Sequence, residues 1–373
     1  MSLRFFCLLI AAPLLAQQPR ALTAADYANA EKFMPYNTAP LVLHGGVRPN
    51  WISDDRFWYS TNTEKGVSFF VFDTARRAST PAFDQAKVAA ALSEDAAHLN
   101  VSQIDARSVT VTAKGKRFTC DLAGTRCDPA APENRNQTLS PDKKRAVFIR
   151  DWNLWVRDIS TGKETQLTTD GVKDFGYATD NAGWTSSDRA ILSWSPDSKK
   201  LATFQQDQRG VGEMYLVKTE VGHPELKAWK YPLPGDSTVT TIQRVVIDVD
   251  AARVVRIQLP PDQHRSSLCD DVACRGTAWS DVGWSEDGSH LAFLSTSRDH
   301  KTEQLRIADA ATGAVRDVLE ESVPTFFESG NGAVNWRYLA ASDEIIWFSE
   351  RSGWGHLYLY DTAGKLKNAI TSG

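Results

Sequence analysis

One phrase recurs along this chain: an apolar strand end, a Ser-x-Asp turn, and the start of a second apolar strand. It is clearest at residues 191–204, I-L-S-W-S-P-D-S-K-K-L-A-T-F, where Ser195-Pro196-Asp197-Ser198 predicts a tight turn between two strands. Proline pre-sets φ for a type I turn, and the Asp and Ser side chains can bond back to the nearby backbone. Further copies stand at residues 138–151 (T-L-S-P-D-K-K-R-A-V-F-I-R-D) and 282–296 (V-G-W-S-E-D-G-S-H-L-A-F-L-S-T), with degraded forms at 48–61 and 334–351. Each is followed by a partner strand: residues 69–74, 153–163, 214–219, 304–313 and 356–365. Most of these strands close on an acidic residue before the next turn.

The tryptophans Trp51, Trp194, Trp284 and Trp336 that mark these units are spaced by roughly one to three multiples of 45 to 50 residues, the period of a propeller blade. Two weaker units fill the gaps, residues 108–121 and 240–259. The expectation is therefore an all-β fold, a β-propeller of about seven four-stranded blades, in which radial repetition leaves few exposed sheet edges. A β-sandwich also alternates strands and turns, but it does not repeat one W-S-x-D phrase. The 12 Trp and 16 Phe residues suit such β-rich packing. A net charge of -4 gives no reason to expect nucleic acid or an anionic membrane as partner.

Residues 1–16, M-S-L-R-F-F-C-L-L-I-A-A-P-L-L-A, pair a basic Arg4 with an apolar run shorter than the roughly 20 residues that span a bilayer. They read as a secretory signal peptide cut near Ala16, which places the protein in the periplasm or outside the cell. Residues 17–40 form a helical lead-in, with a helix over 22–33 capped by Thr23 and Asp26 in a capping box and stopped by Pro35. Residues 41–373 carry the propeller. Export also governs the cysteines: with Cys7 lost in the signal, Cys120 with Cys127 and Cys269 with Cys274 are the economical local disulfides, although four cysteines allow three connectivities. A zinc site is disfavoured, because neither pair has C-x-x-C spacing and the histidines are scattered, so no metal and no cofactor are expected.

Two segments break the repeat. Residues 83–97 have helical composition and predict an insertion between the first two blades, whereas 170–188 lack apolar periodicity and predict a loop at one end of the blades. A third, Arg209-Gly210-Val211-Gly212-Glu213, lacks the third glycine and following helix of a nucleotide-binding turn and is read as a loop, with Arg209 and Glu213 as a solvated pair, against the alternative that they face the central cavity.

Together, N-L-W-V-R-D-I-S-T-G-K-E-T-Q-L-T-T-D-G, S-W-S-P-D-S-K-K-L-A-T-F, A-W-K-Y-P-L-P-G-D (228–236) and E-R-S-G-W-G-H-L-Y-L-Y-D (350–361) resemble the N-terminal propeller of dipeptidyl peptidase IV-type enzymes, of the prolyl oligopeptidase class of serine peptidases. The resemblance runs over most of the chain from about Thr23 onward, and it implies an eight-bladed propeller that caps a C-terminal α/β-hydrolase domain holding the catalytic residues. No G-x-S-x-G elbow occurs in this sequence. By this comparison no catalytic residue is expected here, and the chain is expected to stop before the end of the propeller and before the hydrolase domain, its missing partner.

The family binds the substrate's free amino terminus through two glutamates in a D-W-V-Y-E-E-type segment, since adjacent carboxylates each accept a charge-assisted hydrogen bond from an ammonium group. The corresponding stretch is V-K-D-F-G-Y-A-T-D-N-A-G-W, whose only carboxylates are Asp174 and Asp180. Asp180 with Asn181 is the candidate substitute pair, against the alternative that both simply form a turn by bonding their own backbone. The function expected from the resemblance is that of a non-catalytic propeller which gates access of short peptides to an exported exopeptidase and orients their N-terminus. The alternative is a stand-alone periplasmic propeller used for binding or scaffolding. An open ring of blades leaves sheet edges that invite association, a homodimer among the outcomes.

Overall fold

The computed structural model describes residues 21–373 apart from 54, 131–135, 180–187, 220, 264–278, 280 and 328–334. The expected signal peptide at 1–16 therefore lies outside the described residues. The chain divides into two compact units, Met1–Glu133 and Asn134–Gly373.

In the first unit the helix Ala24–Glu31 begins with the expected capping box, Thr23 and Asp26 satisfying each other's backbone N–H groups. Pro35 does more than end it. It occupies the first turn of a second short helix, Pro35–Thr38, where its missing N–H costs nothing. Sheet I follows, with strands Asn50–Ser53, Arg56–Thr63, Gly66–Asp73 and Ala78–Pro81 in sequential antiparallel order. The helix Gln85–Leu92, capped by Asp84, interrupts the strands as the composition of 83–97 predicts, and buries Val88, Ala89 and Leu92. Sheet II contains Asn100–Ile104, Ser108–Ala113, Lys116–Asp121 and Cys127–Pro129. A disulfide joins Cys120 to Cys127, which stand opposite each other on adjacent strands of this sheet.

The second unit contains sheets III to VI. Sheet III holds Thr138–Leu139, Arg145–Arg150, Asn153–Asp158 and Glu164–Gln166. Sheet V holds Val282–Trp284, His290–Thr296, Thr302–Asp309 and Val315–Ser322, and sheet VI holds Trp336–Leu339, Glu344–Ser349, His356–Asp361 and Leu366–Ala369. Sheet IV is built on Lys200–Asp207 and Thr241–Asp248, paired residue for residue from Lys200 with Asp248 to Asp207 with Thr241. Its two outer positions are each split: Phe175–Tyr177 and Ser193–Trp194 both pair with Lys200–Asp207, while Arg253–Arg256 and Asp262–Gln263 both pair with Thr241–Asp248.

The fold is thus all-β and of propeller type, with six blade sheets among the described residues where the repeat spacing predicts about seven. The difference lies at 240–259, which form no blade of their own. The expected partner of Lys200–Asp207, within 214–219, pairs instead with Glu225–Lys230 in a separate two-stranded hairpin. The physical reason is burial. A central blade strand is covered on both faces, and Thr241–Asp248 (T-I-Q-R-V-V-I-D) can fill both, whereas Glu213–Lys218 leaves nearly all its side chains exposed.

The Ser-x-Asp turns close as predicted. Ser195 Oγ donates to Asp197 Oδ1 (2.6 Å) and accepts from the Lys200 N–H (2.8 Å), while Asp197 Oδ1 accepts from the Lys199 N–H (3.1 Å). Ser140 with Asp142 and Ser285 with Asp287 repeat this pattern. The fourth turn position is left-handed each time, at Lys143 (φ 59°), Ser198 (φ 62°) and Gly288 (φ 65°), the geometry that returns a type I turn to the twist of an antiparallel pair. Neighbouring turns also touch, since Ser198 Oγ accepts from the Asp142 N–H (3.2 Å). The strand-ending acids cap turns of their own. The carboxyl of Asp158 is held down at about 2, first by the Ser160 hydroxyl and then by the Thr161 backbone and hydroxyl.

Packing follows the two-residue period of the strands. From Lys200–Asp207, Leu201 enters a core shared with Val147, Leu154 and Val156 of sheet III, whereas Ala202 and Phe204 enter a core shared with Leu291 and Phe293 of sheet V. Sheets V and VI share a third core around Leu305, Ile307, Ile345 and Trp347. Phe204 is fully buried and meets Trp279 edge to face at 5.6 Å between ring centres. Phe204→Ala should cost about 3 to 5 kcal/mol of unfolding free energy in urea titrations of the Asn134–Gly373 unit. A loss below about 1 kcal/mol would contradict this packing.

Candidate functional site

The Ser-x-Asp turns lie at the start of strands Arg145–Arg150, Lys200–Asp207 and His290–Thr296, so the far ends of these strands form the opposite end of the unit. There sheet IV gathers an unusual set of polar side chains. Strand Phe175–Tyr177 is laid against Gln205–Asp207 and is fixed from below by the hairpin at Trp152 and Asn153. The Asn153 amide donates to Gly171 O and accepts from the Gly171 N–H, both at 2.9 Å, and the Tyr177 N–H donates to Trp152 O (2.9 Å). Gly171 is required for this approach, because a Cβ there would stand 2.3 Å from Trp152 O.

Three small networks result. In the first, the buried Tyr177 hydroxyl donates to Asp170 Oδ1 (2.8 Å), and Arg256 Nη2 reaches Asp170 Oδ2 (3.0 Å), the Tyr177 hydroxyl oxygen (3.3 Å) and Gln205 Oε1 (2.9 Å). Burial and the Asp170 bond push the Tyr177 phenol well above its usual range, so it remains a donor at physiological pH. In the second, Thr179 Oγ1 and Gln208 Nε2 both donate to Gln206 Oε1, at 2.9 and 3.2 Å. In the third, the Arg209 guanidinium forks onto Asp207 at 3.0 and 2.8 Å and lies over the Phe175 ring, 3.9 Å from its centre. That fork lowers the Asp207 carboxyl and raises Arg209.

Gln205, Gln206 and Gln208 are almost wholly buried, yet Gln205 Nε2, Gln206 Nε2 and Gln208 Oε1 have no hydrogen-bond partner among the described residues. Buried amides left this way are uncommon in folded proteins. The arrangement offers amide hydrogen-bonding groups and two guanidiniums, Arg256 and Arg209, each already paired with a carboxylate.

The expected residues fare unevenly. Asp180 and Asn181, as well as Cys269 and Cys274, lie outside the described residues. The stretch 170–188, expected to be loop throughout, contributes the short strand Phe175–Tyr177. The expected Arg209–Glu213 pair does not form: Arg209 takes Asp207, and Glu213 lies 3.6 Å from Lys230 and accepts from Tyr215. Arg209 is closer to Asp207 along one extended strand end, and Glu213 already belongs to the hairpin. Against a D-W-V-Y-E-E-type segment, D-F-G-Y is followed by Ala178 and Thr179, both buried and uncharged. Among the described residues no group of His, Cys, Asp and Glu could hold a metal ion. The glutamine cluster escaped the sequence reading, although the run Q-Q-D-Q at the end of an otherwise apolar strand was its visible sign.

Residues 93–373 match the family model described as the dipeptidyl peptidase IV N-terminal region. The chain belongs to this family. Curated relatives include two proteins named "Probable dipeptidyl-aminopeptidase B", from Neosartorya fischeri and Aspergillus fumigatus, each 27% identical over 52% of this chain and 22% of their own length. The chain thus spans about a fifth of the curated relatives it matches. The crystal structure of Porphyromonas gingivalis dipeptidyl peptidase 4 is similar in fold, with a TM-score of 0.57 and 18% identity over 88% of this chain and 47% of that one.

Within this family member, Tyr177→Phe removes the hydroxyl that Asp170 and Arg256 share. It should lower the stability of the Asn134–Gly373 unit by about 1 to 2 kcal/mol, read from the urea midpoint with the far-ultraviolet circular dichroism unchanged. An unaltered midpoint would mean that the phenol holds nothing in place.

Proposed function

We propose that this propeller region gates and orients short peptides for an exported dipeptidyl peptidase IV-type serine exopeptidase, with the bond-breaking chemistry in an α/β-hydrolase domain. The observation that carries this reading is the coincidence of two features: the family match over residues 93–373, and the polar end of sheet IV next to the segment where the family binds the substrate's amino terminus. Among the described residues no nucleophile, base and oxyanion hole converge at that end of the sheet, whose polar groups would position the peptide. Asp180 with Asn181 would receive the peptide ammonium group in place of the family's glutamate pair.

The test is binding. Asp180→Ala together with Asn181→Ala should weaken binding of a free-amine tetrapeptide at least tenfold by isothermal titration, and leave the weaker binding of its N-acetylated form unchanged. Equal binding of both peptides by both proteins would sink the orienting role.

We further propose that the hairpin Glu213–Lys218 with Glu225–Lys230 associates two copies of the chain. It forms a two-stranded sheet of its own, and such a hairpin is marginal in water without a partner. Tyr215 and Val217 alternate on one strand, and Val217 stands opposite Leu226 on the other; these residues are 57%, 61% and 66% exposed. Val217→Glu with Leu226→Glu should convert a dimer to a monomer in sedimentation velocity. A wild-type chain that is monomeric at tens of micromolar would overturn this.

A further inference from the structure

A second polar recess lies between sheets IV and V, past the point where their shared apolar core ends. It is a cleft of about 380 Å³, within the usual range of about 300 to 1,000 Å³ for small-molecule sites. One wall is the break in the outer strand of sheet IV, with Pro260, Pro261 and Asp262. The other is a rung of sheet V, where Ser295, Gln304 and Glu320 stand directly opposite one another, with Arg306 two residues along. The turn after strand His290–Thr296 adds Arg298.

The charges of the cleft are unequally satisfied. Asp262 is engaged: its Oδ2 accepts from Arg244 Nε (2.9 Å) and Ser295 Oγ (2.8 Å). Arg244 is itself buried and packed over the rings of Trp279 and Phe293. Arg306 is held by Asp317 (2.8 Å) and by Gln304. Arg298 has neither a carboxylate nor a hydrogen-bond partner among the described residues, and its Nη1 is buried. A guanidinium nitrogen removed from water without a partner is costly, and the group that relieves it most completely is a carboxylate, which meets the planar fork with two parallel bonds. Glu320, exposed and bonded among the described residues only to the neutral Gln304 amide, stands at the opposite end of the rung. Three strands in register place Ser295 and Glu320 roughly 10 Å apart at the backbone.

We infer that this cleft binds a small zwitterion of the size of a free dipeptide, its carboxylate on Arg298, its ammonium group on Glu320, and its side chains against Pro260 and Pro261. The site stands apart from the gating reading, since it uses none of the residues at the Tyr177 end of sheet IV. Its success or failure is therefore separate from that of the Asp180 and Asn181 variants.

The test is titration of the full chain with glycyl-alanine, its amide, its N-acetyl form and inorganic phosphate. Glycyl-alanine should bind, with a loss of at least tenfold for the amide and for Arg298→Met. Glu320→Gln should weaken glycyl-alanine severalfold and leave N-acetyl-glycyl-alanine unchanged. Arg298→Lys, which keeps the charge and loses the fork, should fall between wild type and Arg298→Met, and covers the case in which Arg298→Met fails to fold. The inference is overturned if the amide binds as well as the acid, if a folded Arg298→Met protein binds as wild type does, or if inorganic phosphate binds and glycyl-alanine does not displace it.

Discussion

The structure of the Asn134–Gly373 unit depends on one constraint, the two-residue period of a β-strand that is buried on both faces. Each central strand must supply apolar side chains to two different neighbours at once. Leu201 and Ile247 serve the core on the sheet III side, whereas Ala202, Phe204, Ile242 and Val246 serve the core on the sheet V side. A slip of one residue would exchange these sets and place Lys200 and Thr203 where Leu201 and Phe204 belong. Register is accordingly tightly specified in the middle of each sheet. It is free to fail only at the strand ends, where apolar alternation gives way to polar residues.

Both polar sites arise from that failure. In sheet IV the strand continues past Phe204 into Gln205, Gln206 and Asp207, so its last rung carries amides and a carboxylate where an apolar pair would otherwise seal the blade. In sheet V the same transition follows Phe293 and Leu294, giving Ser295, Thr296 and the Arg298 turn. The Ser-x-Asp turns make the other end of the unit a closed, self-bonded surface, with neighbouring turns in contact. Splitting the outer positions of sheet IV adds to the polar sites, because each break frees a short segment to line a recess.

Much of this was legible in advance because it is local. The capping box at Thr23 and Asp26, the helix within 83–97 and the bonding of Ser195 to Asp197 involve residues at most a few positions apart, so side-chain chemistry alone specifies them. Family membership was legible for the same reason, through short phrases standing in one order along the chain. The blade count was not. Residues 214–219 and 241–248 both read as strands, and which of them pairs with Lys200–Asp207 depends on which can be covered on both faces by sheets far away in sequence. Nor were the partners of Arg209 and Arg256, since a guanidinium takes whichever carboxylate the folded backbone brings nearest.

By itself, the sequence determined the repeated turn, the all-β class and the place of this chain among dipeptidyl peptidase IV N-terminal regions, because these rest on contacts within a few residues. Only the tertiary structure decided that 241–248 completes the blade begun at the Ser195 turn, that Gln206 and Gln208 are buried together beside Thr179 while Gln205 is buried beside Arg256, and that Arg298 lines a cleft without a partner among the described residues. Those outcomes turn on burial and on pairings between distant segments, and free energies of that kind are not assigned until the sheets are packed.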